Sequence, residues 1–247
     1  MVGTPAEEVV PIDGASTPAR VPKLAERVAQ QIEQDIIARG WPVGEQLGTE
    51  ATLAESLGVS RGVIREAVRI LEHHMAVAPR RGLGGGVVVT RPDIAAVIPV
   101  IDLYLDSVGV SPATLLEARS AIELSAVSLT AERITAEGQE RLHAALMREQ
   151  SEMADPHRYV LSHDLHILIA ELSGNAALRL FVSVLTRLTS DHSQQHLAAV
   201  RHADLSAIGQ DISKAHVKIV DAIVKGNAPL AQRRMLTHLQ AVTGWLV

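Results

Sequence analysis

From Thr49 to Leu71 the apolar positions fall at helical spacing twice over. Leu53, Ala54 and Leu57 form the first set, and Val63, Ile64, Ala67, Val68 and Leu71 the second. Each set buries one face of a short helix. Thr49 and Ser60 stand where a hydroxyl takes up a free first-turn amide. Gly58 ends the first helix as a left-handed residue. Arg61, Arg65 and Arg69 are four apart and lie as a stripe opposite the second apolar set. The period then changes. Val77-Ala78-Pro79 and the β-branched run Val87-Val88-Val89 predict two strands around the loop from Arg80 to Gly86. Beyond Pro92 the pattern is helical, in about seven segments near 93–107, 112–134, 136–152, 156–173, 175–199, 206–226 and 228–246. Breaks fall at Gly109-Val110-Ser111-Pro112, Asp155-Pro156, Ser173-Gly174-Asn175 and Gly226-Asn227-Ala228-Pro229. With no repeat in the solenoid range, an antiparallel helical bundle is the natural packing.

Helix, tight turn, arginine-striped helix and hairpin, in that order, are the plan of a winged helix-turn-helix. The fold class is therefore mostly α: a winged head with a small β-hairpin, then an all-α bundle. A helix with an apolar back and an arginine stripe suits the major groove, where arginine pairs with guanine or holds phosphates. In an isolated helix the stripe would more simply be a solvated face; the Gly58 turn and the hairpin favour DNA. Arg80, Arg81 and Gly82 place positive charge and a pliable backbone at the wing. A nucleotide cradle is disfavoured, because no Walker lysine follows the glycines and no helix opens after them.

Composition sharpens this picture. The 247 residues suffice for two domains. We expect a disordered tail over 1–20, a head over 21–92 and a helical domain over 93–247. Aromatics make up 2% and hydrophobics 47%, so the cores rest on Ala, Leu, Val and Ile. There is no cysteine, which excludes disulfides and thiolate metal sites. No stretch approaches the roughly 18 apolar residues of a membrane span, and residues 1–20 lack a secretory apolar region, so a cytoplasmic location is expected. The net charge of −5 is uneven. Residues 58–92 hold six basic side chains against two acidic ones, whereas 93–247 hold 13 against 17. The basic segment carries the phosphate attraction.

Three histidines stand on successive or near-successive helices of the expected bundle, on faces that read as inward: His166 in HDLHILIAELSGN, His216 in DISKAHVKIVDAI and His238 in RRMLTHLQAV. Converging imidazoles would make a divalent-metal site. Taken singly, each is more simply a hydrogen-bonded core residue, and spacing does not decide between the two. Arg119 and Glu123, four apart, read as a surface ion pair. Asn175 reads as a helix N-cap. Catalysis finds little support: there is no HExxH pair, no cysteine nucleophile and no GxSxG elbow. A metal-dependent hydrolase is the remote alternative.

SLGVSRGVIREAVRILE followed by RRGLGGGVVV resembles the head of GntR-family bacterial transcription regulators, and most of all the FadR branch, over Lys23 to Pro92. The resemblance implies DNA contacts from Ser60, Arg61 and Arg65. Thr49, Arg69, Arg80, Arg81 and Gly82 complete the expected interface. Gly48-Thr49-Glu50 stands where the family often has Pro-Ser-Glu, and Ala51 replaces an arginine that touches DNA in some members. Leu115 to Val242 resembles the FCD ligand-binding domain, through Arg119 and Glu123, the H-x6-SGN run and the two later histidines. That resemblance implies a divalent metal on three histidines and one aspartate, completed by a small carboxylate effector that Arg119 helps to hold. The matching histidines are His166, His216 and His238; the family aspartate is replaced by Ser162. Three readings stay open: His163, three residues before His166, as the fourth ligand; water with Ser162; or no metal and a larger organic or acyl ligand. A lost carboxylate ligand favours zinc or nickel over manganese. The expectation is an effector-responsive homodimer, a repressor by analogy, on a palindromic double-stranded operator, with no membrane partner.

Overall fold

A computed structural model describes residues 23–82, 85–152, 163–197 and 202–246. The expected N-terminal tail, Ser162 and the start of the helix expected over 156–173 lie outside the described residues. The fold is mostly helical, with ten described helices and one small sheet. The chain divides into two compact units, one through Asp93 and one from Ile94.

The first unit runs α1 (Leu24–Ala38), β1 (Gln46–Gly48), α2 (Glu50–Leu57), α3 (Arg61–His73), β2 (Val77–Arg80) and β3 (Gly86–Val89). The expected caps form. Thr49 Oγ1 accepts the Thr52 amide at 3.2 Å, and Ser60 Oγ the Val63 amide at 3.3 Å. Gly58 takes φ 66°, in the left-handed region that lets the chain turn sharply between α2 and α3. Two elements go beyond the expected pattern. Helix α1 buries Ala25, Val28, Ala29, Ile32 and Ile36 at helical spacing. Strand β1 is too short to display a period, yet it pairs antiparallel with β3, and the sheet order is β1-β3-β2. The wing strands are each one residue longer than expected, because Arg80 pairs with Gly86. Ile36, Ile64, Ala67 and Leu71 are fully buried, with Val77, Val87 and Val89 closing the core beneath the sheet.

The second unit runs α4 (Ile94–Ser107), α5 (Pro112–Arg133), α6 (Ala136–Glu152), α7 (Asp164–Leu172), α8 (Ala176–Leu197), α9 (His202–Val224) and α10 (Ala228–Leu246). Helix α5 begins at a Ser111 cap with Pro112 in the first turn, and it packs against α7, α8, α9 and α10. Alanines at 131, 145, 222 and 231 let helix backbones approach closely around Val127, Leu142, Ile169, Ile219, Ile223 and Met235. Asn175 Oδ1 accepts the amides of Ala177 and Leu178, so it caps α8 as expected. Helix α4 differs from the others: it buries no residue. No described helix is long and apolar enough to cross a membrane.

Candidate functional site

The first unit presents its cations outward. Arg61, Arg65 and Arg69 lie exposed along α3, while Ile64, Ala67, Val68 and Leu71 on its other side are buried. Arg65 Nε stands 3.4 Å from Glu50 Oε2, and Arg69 Nη1 is 3.7 Å from Glu66. Both pairs are exposed and weak, so they yield to a phosphate or a base edge at little cost. Arg61 has no ion-pair partner among the described residues, and neither have the exposed Arg80 and Arg81 of the wing. Thr49 and Ser60 use their hydroxyls to cap the first turns of α2 and α3. Gly82, exposed with φ 104°, adopts a backbone that only glycine takes without strain.

In the second unit three helices bring three imidazoles to one point. His166 comes from α7, His216 from α9 and His238 from α10, at 3%, 3% and 5% exposure. Their Nε2 atoms lie 3.3 Å apart in every pairing. A tetrahedral zinc about 2.0–2.1 Å from each nitrogen holds two such nitrogens about 3.3–3.4 Å apart. The donor set therefore fits a divalent cation without moving an atom.

Hydrogen bonding accounts for only part of this cluster: an Nε2–H on His238 can serve the other two rings, but not the contact between His166 and His216. His166 Nδ1 is bonded to Glu123 Oε2, and His216 Nδ1 lies 2.9 and 3.0 Å from the two Glu149 oxygens. Each carboxylate accepts the Nδ1–H it faces, and in a neutral ring that leaves the Nε2 lone pair directed at the centre. Two lone pairs 3.3 Å apart repel unless a cation lies between them. Burial works against the charge of Glu123, but the Arg119 guanidinium and His166 hold its carboxyl well below the usual carboxylate range. Burial lowers the pKa of His166, and it lowers that of His238 further with help from His216 and His166. Neutral rings are the form a metal requires.

Arg119 is not the surface ion pair that its spacing suggested. It is 1% exposed. Its Nε donates to Glu123 Oε1 at 2.6 Å, its Nη1 to Thr189 at 3.1 Å and its Nη2 to His163 Nδ1 at 3.4 Å. Among the described residues these three contacts leave part of the five-donor fork uncommitted. His163 does not share a helical face with His166, because it precedes α7 with φ −120° and ψ 15°. Its ring lies edge-on to His166 at 6.0 Å between centroids. The ligand atoms that meet among the described residues are those of His166, His216 and His238 alone. Glu149 was missed by the sequence reading. Its signal was present: an acid on the same face of α6 as Leu142 and Ala145, which are buried. Both carboxylates beside the triad are engaged with imidazoles, so neither is placed as a general base.

Comparison with known proteins agrees with both halves. The FCD domain matches residues 114–241, and the gntR family of bacterial regulatory proteins matches residues 24–88. The chain is 30% identical over 223 residues to the Uxu operon regulator of Haemophilus influenzae, covering 87% of this chain and 79% of that one. It is 31% identical over 230 residues to the putative L-lactate dehydrogenase operon regulatory protein of Escherichia coli, covering 89% and 85%. It is 30% identical over 225 residues to the HTH-type transcriptional repressor NanR of Cronobacter sakazakii, covering 89% and 84%. The solved structure of a Streptococcus agalactiae GntR protein aligns with TM-score 0.71 at 26% identity, over 88% of this chain and 98% of that one. The chain thus belongs to the gntR family of bacterial transcription regulators, with an FCD effector-binding domain as its helical half.

Proposed function

We propose that the protein is a homodimeric repressor whose DNA affinity is set by a small carboxylate bound at a metal in the helical domain. Residues 21–92 read a palindromic operator through Thr49, Ser60, Arg61, Arg65 and Arg69, with Arg80, Arg81 and Gly82 of the wing on phosphates. Residues 93–247 bind the effector and form the dimer. The observation that carries the effector reading is the set of three Nε2 atoms at 3.3 Å, two of them on rings backed by buried carboxylates. His166, His216 and His238 hold zinc or nickel, since three neutral nitrogens suit these better than manganese. The metal supplies a Lewis-acidic position for an effector oxygen. Arg119, which keeps N–H groups without a partner among the described residues, would hold the effector carboxylate. One relative is named for an L-lactate dehydrogenase operon, and lactate is a hydroxycarboxylate of this class.

A second copy finds an apolar surface in the exposed Val100, Leu103 and Tyr104 of α4 and Leu180 and Phe181 of α8, helices that touch each other. Symmetric dimers read symmetric operators.

The direct test is elemental analysis of tag-free protein purified without chelator, followed by operator titration against a panel of small carboxylates. One zinc or nickel per chain, and a carboxylate that changes operator affinity only in metal-loaded protein, is the expected result. A chelator-insensitive response to a larger organic or acyl ligand would replace the metal reading.

A further inference from the structure

On the surface of the helical domain, α9 and α10 leave a cleft of about 440 Å³. Lys214, Lys218, Arg233 and Arg234 line it, with Asp211 as their acidic neighbour, and it reaches His238. Four cations here face one acid, in a domain whose residues 93–247 carry 13 basic and 17 acidic side chains. Two of the four are neutralised. Lys214 Nζ pairs with Asp211 at 3.1 Å, and Arg234 Nη1 with Asp221 at 3.0 Å. The exposed side chains of Lys218 and Arg233 have no partner among the described residues. Among the described residues, their two positive charges share one concave surface without a paired acid.

His238 is the second observation. His166 and His216 each give Nδ1 to a buried carboxylate, whereas His238 Nδ1 has no hydrogen-bond partner among the described residues. The atom is not sealed either. Among the described residues the only fully buried side-chain polar atom without a partner is Asp102 Oδ1. A ring that is 5% exposed, faces the triad with Nε2 and borders the cleft therefore offers its Nδ1 edge to that cleft.

We infer that the cleft is a second anion site, in which a small dianion of the phosphate or dicarboxylate class sits between Lys218 and Arg233 and accepts the Nδ1–H of His238. The guanidinium offers two parallel donors, the ammonium a point charge and the imidazole a third direction. The bound dianion gives His238 the partner that Glu123 and Glu149 give the other two rings. Such a partner raises the basicity of the ligating nitrogen, so the anion outside and the cation inside bind cooperatively. This coupling rests on the metal reading above; the anion site itself does not.

Calorimetry on the metal-free full chain, with inorganic phosphate in one arm and succinate in the other at constant ionic strength, tests the site. Saturable binding of either dianion is expected, and the arm that binds tells a tetrahedral from a planar anion. Lys218→Ala combined with Arg233→Ala should weaken it by about tenfold or more, for two lost charge-assisted contacts. Arg141→Ala, which removes an exposed cation outside the cleft lining, should leave it unchanged. No saturable binding, or binding that the double variant keeps, overturns the site. So does a double variant that loses its dimer without any anion effect, which would assign the cleft to a second copy of the chain. Nickel titration then tests the coupling. Phosphate should tighten nickel binding on the order of tenfold, and the double variant should lose that gain. Equal nickel affinity with and without saturating phosphate overturns the contact with His238. Phosphate binding by a chain that binds no nickel upholds the cleft and removes the metal reading instead.

Discussion

Two carboxylates hold two imidazoles by their outer nitrogens, and this arrangement fixes which nitrogen faces the centre. Glu149 uses both oxygens on His216, so Glu149→Gln can present only one acceptor. We expect metal affinity to fall about 10–100-fold with the fold intact, measured by competition with a chelating dye. Unchanged affinity would leave Glu149 as a space-filling residue. Glu123→Gln should act differently, because it strips the buried Arg119 of its charge partner. Removing one member of a buried pair costs about 3–5 kcal/mol, so denaturant unfolding should record the change before metal binding does. Protons probe the same site. Burial lowers the pKa of His163, His166 and His238 below the ordinary 6.5. The unfolded chain then binds more protons than the folded one between those lowered values and 6.5. Metal-free protein should therefore lose stability as pH drops through about 6.5, by up to about 1.4 kcal/mol per pH unit for each such histidine, and level off below the folded values. A flat stability profile from pH 7 to 5 would contradict buried neutral rings. Ser162→Asp, which restores the family carboxylate, should extend binding toward manganese.

At the scale of elements, the head depends on one turn. Gly58 sits at φ 66° with open space where a Cβ would go, so Gly58→Ala pays only for its backbone, about 1 kcal/mol. Its thermal midpoint should fall while the α3 surface stays intact. Arg65 projects from the solvent face of α3, and its partner Glu50 is itself exposed. Arg65→Ala should spare stability and cost about 1–3 kcal/mol of operator binding if it reads a base. Equal affinity in a salt-controlled titration would remove it from the interface. Arg81→Ala, at the wing, should weaken all duplexes alike and flatten the dependence on salt.

For the whole molecule, the proposed regulation requires that effector and operator favour different arrangements of the proposed dimer. The proposed dimer surface is testable by itself. Val100 and Leu103 on α4 are 67% and 71% exposed, so charged replacements there do not disturb the core. Val100→Asp with Leu103→Asp should sediment as a monomer at micromolar concentration and lose preference for a two-half-site operator over a single half-site. A double variant that stays dimeric would move the interface elsewhere on the domain.

The sequence alone determined what local interactions control. The caps at Thr49, Ser60 and Asn175, the turn at Gly58 and the arginine stripe of α3 follow from hydrogen-bonding side chains and apolar period within a few residues. Most of the bundle segments after Pro92 follow for the same reason, although the helix expected over 156–173 begins only at Asp164, after the non-helical His163. Helix α1 was not anticipated, although Val28, Ile32 and Ile36 carry its spacing, whereas the three residues of β1 carry no period and exist because β3 pairs with them. The likeness of His166, His216 and His238 to a ligand set was visible, but their meeting was not. They lie on separate helices, and whether their Nε2 atoms meet at 3.3 Å depends on crossing angles and axial shifts that spacing along the chain does not encode. The same packing turned Arg119 from a surface ion pair into a buried one, drew Glu149 onto His216, and left His163 ahead of the helix instead of on its face. Only the tertiary structure decided these, because burial and convergence belong to several helices at once.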